Sequence, residues 1–180
     1  IGNLPQALSV AQVLLDKCIK AGDTSYEGAD YDTTEAYIQL GRVLRMGGAS
    51  ENALQAINEA IQRFEQIADQ KSSEAAGIMA SASLAKKGEC LLDLDRLDES
   101  AAAFQECIRI AEKYKSEKHM AIGKGQLGTL DFPTSPAGRR SQRKAPGVIG
   151  GDERLVCQLL STICPERRRG GHRIPRRRIG

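Results

Sequence analysis

The chain has 180 residues, of which 41% are hydrophobic and 27% charged, with a formal net charge of +3. That length holds one domain with a real core, or a small domain and a tail, and no apolar run approaches the 18 residues that would span a membrane. Aromatics at 4% with no Trp disfavour an aromatic sandwich core or a base-stacking surface, and Cys18, Cys90, Cys107, Cys157 and Cys164 contain no C-x-x-C pair. An odd number of scattered cysteines argues against a disulfide framework or zinc site and points to a reducing, cytoplasmic setting. No basic-then-apolar leader opens the sequence.

The net charge conceals a division near residue 130. Residues 1–130 carry 14 Lys+Arg against 19 Asp+Glu, a net of −5, and residues 131–180 carry 12 against 4, a net of +8. Five of the six prolines also lie past the division. Two kinds of sequence are joined there.

The first apolar stripe is Ala7, Ala11, Leu14, Leu15 and Cys18, with offsets of 0, +4, +7, +8 and +11. Those offsets define one face of an amphipathic helix, which Gly22 is placed to end. Asp32 with Glu35 has the spacing of a capping box. It predicts a helix carrying Tyr37-x-x-Leu40-Gly41-x-x-Leu44 and closing at Gly47-Gly48. Ser50 is the expected N-cap of the next helix, where the first stripe returns as Ala53, Ile57, Ala60, Ile61 and Phe64. Ser73 is expected to cap a helix with Leu84-x-x-Lys87-Gly88-x-x-Leu91, and Asp98 one with Ser100, Phe104, Cys107, Ile108 and Ala111. A third leading series, Lys124-x-x-Leu127-Gly128, begins and is not completed. The stripe therefore recurs at intervals of 46 and 47 residues.

Glycine inside a helix costs roughly 1 kcal/mol against alanine, so its recurrence needs a packing reason. Gly41, Gly88 and Gly128 are expected to admit a neighbouring helix closely, with Ala60 and Cys107 doing the same from the opposite side. Cys18, Cys90 and Cys107 sit at apolar helical positions and read as core.

This pattern resembles the tetratricopeptide repeat family. Tyr37, Leu40, Gly41, Leu44, Ala53, Ile57 and Ala60 match its motif, and so do Leu84, Gly88, Leu91, Phe104 and Ile108. Ser100 and Cys107 stand in for small residues, and Lys87 departs from a leucine position. The resemblance covers residues 4–130 as one trailing helix, two full pairs and one leading helix. It implies an all-α solenoid of antiparallel helix pairs winding as a right-handed superhelix. The period exceeds the usual ~34 residues, so longer helices and connections are expected. The resemblance also implies a non-enzymatic protein-interaction module or scaffold, binding a peptide or partner protein on the concave face lined by the first helix of each pair. Inner-face positions by the family pattern are Glu35, Ile38, Gln39, Arg42, Arg45 and Met46, then Ala85, Lys86, Glu89 and Asp93. Gln39, Arg42, Arg45, Lys86 and Glu89 are the candidate partner-binding residues, and the two arginines suit an acidic peptide or chain terminus. The Lys/Asn clamp of the chaperone-tail-binding members falls on Ile38, Arg42, Ala85 and Glu89 and is absent.

No catalytic constellation, metal site or cofactor motif emerges. His119 and His172 have no motif-spaced partner, and Asp93, Asp95 and Asp98 read as capping and solvated charge. Gly123-x-Gly125-x-x-Gly128 spells a dinucleotide fingerprint but lacks the preceding strand that the motif requires. Residues 131–180 are expected to be an irregular Arg/Pro/Gly-rich tail with one short helix over 153–164. Two readings of it stand. One is a basic arm binding phosphate, which would make the chain a nucleic-acid-associated adaptor. The other is out-of-frame translation, since the codons of Leu155–Ile163 allow a shifted reading of Ser-Ser-Val-Ser-Tyr-Tyr-Gln-Leu, much like a leading helix. A further alternative makes the helices the sensor segment of a larger signalling protein.

Overall fold

In the computed structural model, residues 3–131 form six α-helices and, among these described residues, no strand. In order they are α1 (Leu4–Ala21), α2 (Ala29–Met46), α3 (Ser50–Gln70), α4 (Glu74–Asp93), α5 (Leu97–Lys113) and α6 (Glu117–Asp131). The tail and its expected helix over 153–164 lie outside the described residues.

Four of the five connections are the same device. Residues 47–49, 71–73, 94–96 and 114–116 are three-residue turns whose central residue is left-handed, at φ 82° for Gly48, 50° for Ser72, 60° for Asp95 and 54° for Lys115. In each, the last N–H donates five residues back: Ala49 to Leu44, Ser73 to Ala68, Arg96 to Leu91 and Ser116 to Ala111, at 2.8–3.1 Å. This closure satisfies helix-end carbonyls and reverses the chain, which lays successive helices antiparallel. The period above 34 residues is therefore spent mainly on helices of 17–21 residues, and of the expected longer connections only the α1–α2 link occurs. The α1–α2 link is the exception, running through residues 22–28.

The expected caps are partly corrected. Ser73 accepts the Ala76 N–H at 3.2 Å as a true N-cap. Helix α2, however, starts at Ala29 from a left-handed Gly28, whose carbonyl accepts the Asp32 N–H at 3.0 Å. Asp32 is thus already inside the first turn, and it accepts the Tyr26 hydroxyl at 2.6 Å in place of a capping box. Ser50 is the first residue of α3, with Ala49 as cap, and Asp98 lies in the first turn of α5 after Arg96. There its charge still favours the helix dipole.

Each helix packs on its sequence neighbour. In addition α2 lies against α4 and α4 against α6, while the trailing helices α1, α3 and α5 make no comparable contact with one another. The leading helices form the tighter, inner layer. Between the layers, Leu40, Ile57, Phe64, Leu91 and Phe104 are at most 1% exposed. A Cβ on Gly41 would meet Ile57 Cγ1 at 2.7 Å, and one on Gly88 would meet Phe104 Cε1 at 2.5 Å. Ser100 adds a buried hydrogen bond from its hydroxyl to the Gly88 carbonyl, 2.9 Å. Gly128 departs from expectation, because none of the described residues lies within 4 Å of its Cβ position and no described helix follows α6. The glycine that packs in α6 is Gly123, 2.6 Å from Ile108 Cγ1.

The stripe on α1 is also only half covered. Leu8, Ala11 and Leu15 are buried against α2, whereas Ala7 is exposed and Leu14 is 45% exposed. Their counterparts Ala53 and Ala60 on α3 are completely buried, since α3 has a leading helix on each side. Cys90 and Cys107 are core, and burial pushes the Cys90 thiol up to about 12. Cys18 is half-buried rather than core, for the same one-sided reason.

Two outcomes test this packing. Gly88→Ala should lower the urea midpoint, because fully buried Phe104 must shift; the overpacking cost is on the order of 1–3 kcal/mol. Gly128→Ala, in open space, should raise it by up to about 1 kcal/mol through helix propensity. A thiol reagent at pH 8, with modified peptides read by mass spectrometry, should label Cys18 in the native protein and reach Cys90 and Cys107 only on unfolding.

Candidate partner-binding groove

Where α2 and α4 run side by side, a groove of about 200 Å³ opens on the inner layer. Glu35, Ile38 and Arg42 of α2 line one wall, and Met79, Ala82, Ser83 and Lys86 of α4 line the other. On α2 these residues are three and four apart, and on α4 Ala82 and Ser83 each lie three or four from Met79 and Lys86, which puts each set on one face. Its floor is apolar, with Ile38 buried and Met79 and Ala82 half-buried. The Ser83 hydroxyl is turned back to the Met79 carbonyl at 2.8 Å, which leaves its methylene side to the groove.

The charges of this face divide into those tied down and those left over. Arg45 donates to Glu89 at 2.6 Å and to Asp93 at 2.7 Å, clasping α2 to α4. Lys86 shares Glu89, at 2.8 Å. Burial disfavours the Arg45 charge, but its bonds to Asp93 and its attraction to Asp93 and Glu89 outweigh that and raise its pKa. Arg63, Arg96 and Arg109 likewise hold carboxylates, Asp23, Glu99 and Glu106 among them. Alone of the five described arginines, Arg42 has none among the described residues. Its Nη1 donates only to the Gln39 carbonyl oxygen at 3.1 Å, and Gln39 passes its own Nε2–H to Glu35 at 2.6 Å. The side chain is exposed at the rim.

The five candidate residues are thus brought to one face with different roles. Arg42 and Lys86 border the groove and Gln39 orients Arg42, while Arg45 and Glu89 form the interhelix clasp. Among the other inner-face positions, Ile38 and Ala85 are buried and Met46 projects at 76% exposure. Met79, Ala82 and Ser83 were not among the sequence candidates. The 47-residue register held the signal, since it sets Ala82 level with Glu35 and Ser83 level with Ala36. Among the described residues no grouping of His, Cys, Asp and Glu has the arrangement of a metal site, and no helix is long and apolar enough to cross a membrane.

The separation of clasp and free cation has a measurable form. Arg45→Ala should lower stability by up to ~1 kcal/mol, the range of partly exposed ion pairs, while Arg42→Ala should stay within ~0.5 kcal/mol of the parent. Equilibrium urea unfolding of the two variants checks this.

Comparison with known families places one match on this architecture: the tetratricopeptide repeat profile fits residues 81–114, which span most of α4 and all of α5. No curated protein and no solved structure shows significant similarity to the chain.

Proposed function

We propose that the chain, of which residues 81–114 fit the tetratricopeptide repeat profile, is a non-enzymatic interaction module that holds a peptide or partner segment in the α2–α4 groove. Repeats of this family generally mediate protein–protein interactions and are typically non-catalytic. The observation that supports this particular site is Arg42, the one described arginine without a carboxylate, standing beside an apolar floor. A guanidinium is built to take a carboxylate through two parallel hydrogen bonds. The partner segment therefore carries an Asp, Glu or chain terminus next to an apolar side chain. The apolar group enters over Ile38 and Met79 and the carboxylate meets Arg42, with Lys86 adding charge from the opposite wall. Glu89 and Asp93 do not compete for Arg42, because Arg45 and Lys86 already occupy them.

Fluorescence anisotropy on a panel of labelled peptides, each pairing an acidic with an apolar residue, tests the reading. Binders should lose about tenfold or more in affinity on Arg42→Glu and less on Arg42→Lys, with helicity unchanged, and should weaken when the acidic residue becomes its amide. Equal binding by Arg42→Glu would remove this groove from the function.

A further inference from the structure

Met46 is the most exposed large apolar side chain among the described residues, at 76%, and it stands on the inner layer one turn beyond Arg42. Ile38 lies one turn before Arg42, so Ile38, Arg42 and Met46 follow one another at four-residue steps along α2. Four residues of helix advance about 6 Å, and the row drifts about 40° around the axis with each step. The drift carries it from the groove floor to the rim: Ile38 is 6% exposed, Arg42 is exposed and Met46 projects. The row stops at both ends. Thr34, one turn earlier, is completely buried with its hydroxyl bound to the Asp30 carbonyl at 2.6 Å, and Met46 is the last residue of α2. Arg45, between the last two rungs, is drawn aside to Glu89 and Asp93. Two apolar rungs therefore flank one cation.

Building on the groove binding proposed above, we infer that the partner segment lies extended along this row and reads apolar, any, acidic, any, apolar, with Met46 as the contact for one of its two apolar side chains. An extended chain puts every second side chain on one face, about 6.6 Å apart, so three alternate residues match the three rungs to within about 1 Å over the whole row. A helix also repeats every four residues, but one turn of it, about 10 Å across and 5.4 Å long, displaces about twice the groove's volume of about 200 Å³. The two intervening residues face solvent and are unconstrained. The carboxylate at Arg42 then belongs to an internal Asp or Glu, because a segment that ends there reaches only one of the two apolar rungs. Methionine suits the outer rung, since its unbranched thioether adapts to many apolar shapes and so selects apolar character over a particular side chain.

Fluorescence anisotropy of the full chain with dye-labelled peptides blocked at both ends tests this. The core Leu-Ser-Glu-Ser-Leu, with Gly-Ser flanks, should bind, and changing either Leu to Ser should cost about fivefold in affinity. Met46→Gln keeps the length of the side chain and, at an exposed site, should leave the urea midpoint unchanged. It should weaken the core peptide by the same factor and cancel the effect of one Leu while keeping that of the other, which also gives the direction of the segment. Binding that needs Arg42 yet ignores Met46→Gln and the second Leu overturns this inference and leaves the groove binding standing. Binding indifferent to Arg42→Glu, or none by any peptide up to millimolar concentration, overturns both. A preference for apolar groups four residues from the Glu overturns the extended segment in favour of a helical one. Tighter binding by Leu-Ser-Glu with a free terminal carboxyl also overturns it, pointing to a chain terminus.

Discussion

Close approach at a glycine sets the geometry of this molecule. At Gly41 a trailing helix brings Ile57 to a distance that a methyl group would forbid, and at Gly88 Phe104 does the same. Large side chains thus lodge against bare backbone, as ridge packing at short interaxial distance requires. The small residues around these points follow from the same demand. Ser100 is the clearest case: it is small enough to fit and uses the short distance to hydrogen-bond the Gly88 carbonyl. Tight pairs in turn bring the leading helices α2 and α4 together, and the groove exists because they run side by side.

On that scaffold the polar residues divide by reach. Arg45 lies one turn beyond Arg42 on α2 and level with the end of α4, where Glu89 and Asp93 satisfy it. Arg42 lies where the opposite wall offers Lys86 and Ala82, so among the described residues no carboxylate pairs with it, and Glu35 reaches it only through Gln39. Two arginines three residues apart thereby acquire opposite duties, one holding the inner layer together and one left at the groove. The assignment depends on the neighbouring helix, not on the arginines.

The repeat itself was legible in the sequence, because packing one helix pair on the next imposes a spacing on apolar and small residues that composition cannot hide. The helix stretches around Ala53–Phe64 and Ser100–Ala111 carry it most plainly, with Phe64 and Phe104 fully buried. Helix starts were less legible. Asp32 and Glu35 have the capping-box spacing, but the left-handed Gly28 begins α2 earlier, and backbone torsion is invisible in a spacing rule. Gly128 misled for a different reason: a motif specifies a contact only where the partner helix is present, and none follows α6 among the described residues. The clasp at Arg45 joins residues 44 and 48 positions apart, which no local pattern encodes. Met79 escaped because its register mate is Asp32, so nothing at that level marks the position as apolar.

The four identical three-residue turns carry a consequence for how the chain reaches this state. Each closes on a helix that ends only a few residues earlier, and nearly all packing is between helices adjacent in sequence. Loop-closure entropy is then small at every step, and folding can nucleate at any pair and propagate outward in both directions. The 22–28 link breaks that uniformity, being more than twice as long and joined to a helix packed on one side only. Docking α1 costs more closure entropy and returns less burial than docking any interior helix. The array should therefore assemble from its centre, and α1 should be the segment that opens first under load, leaving the α2–α4 groove intact when it does.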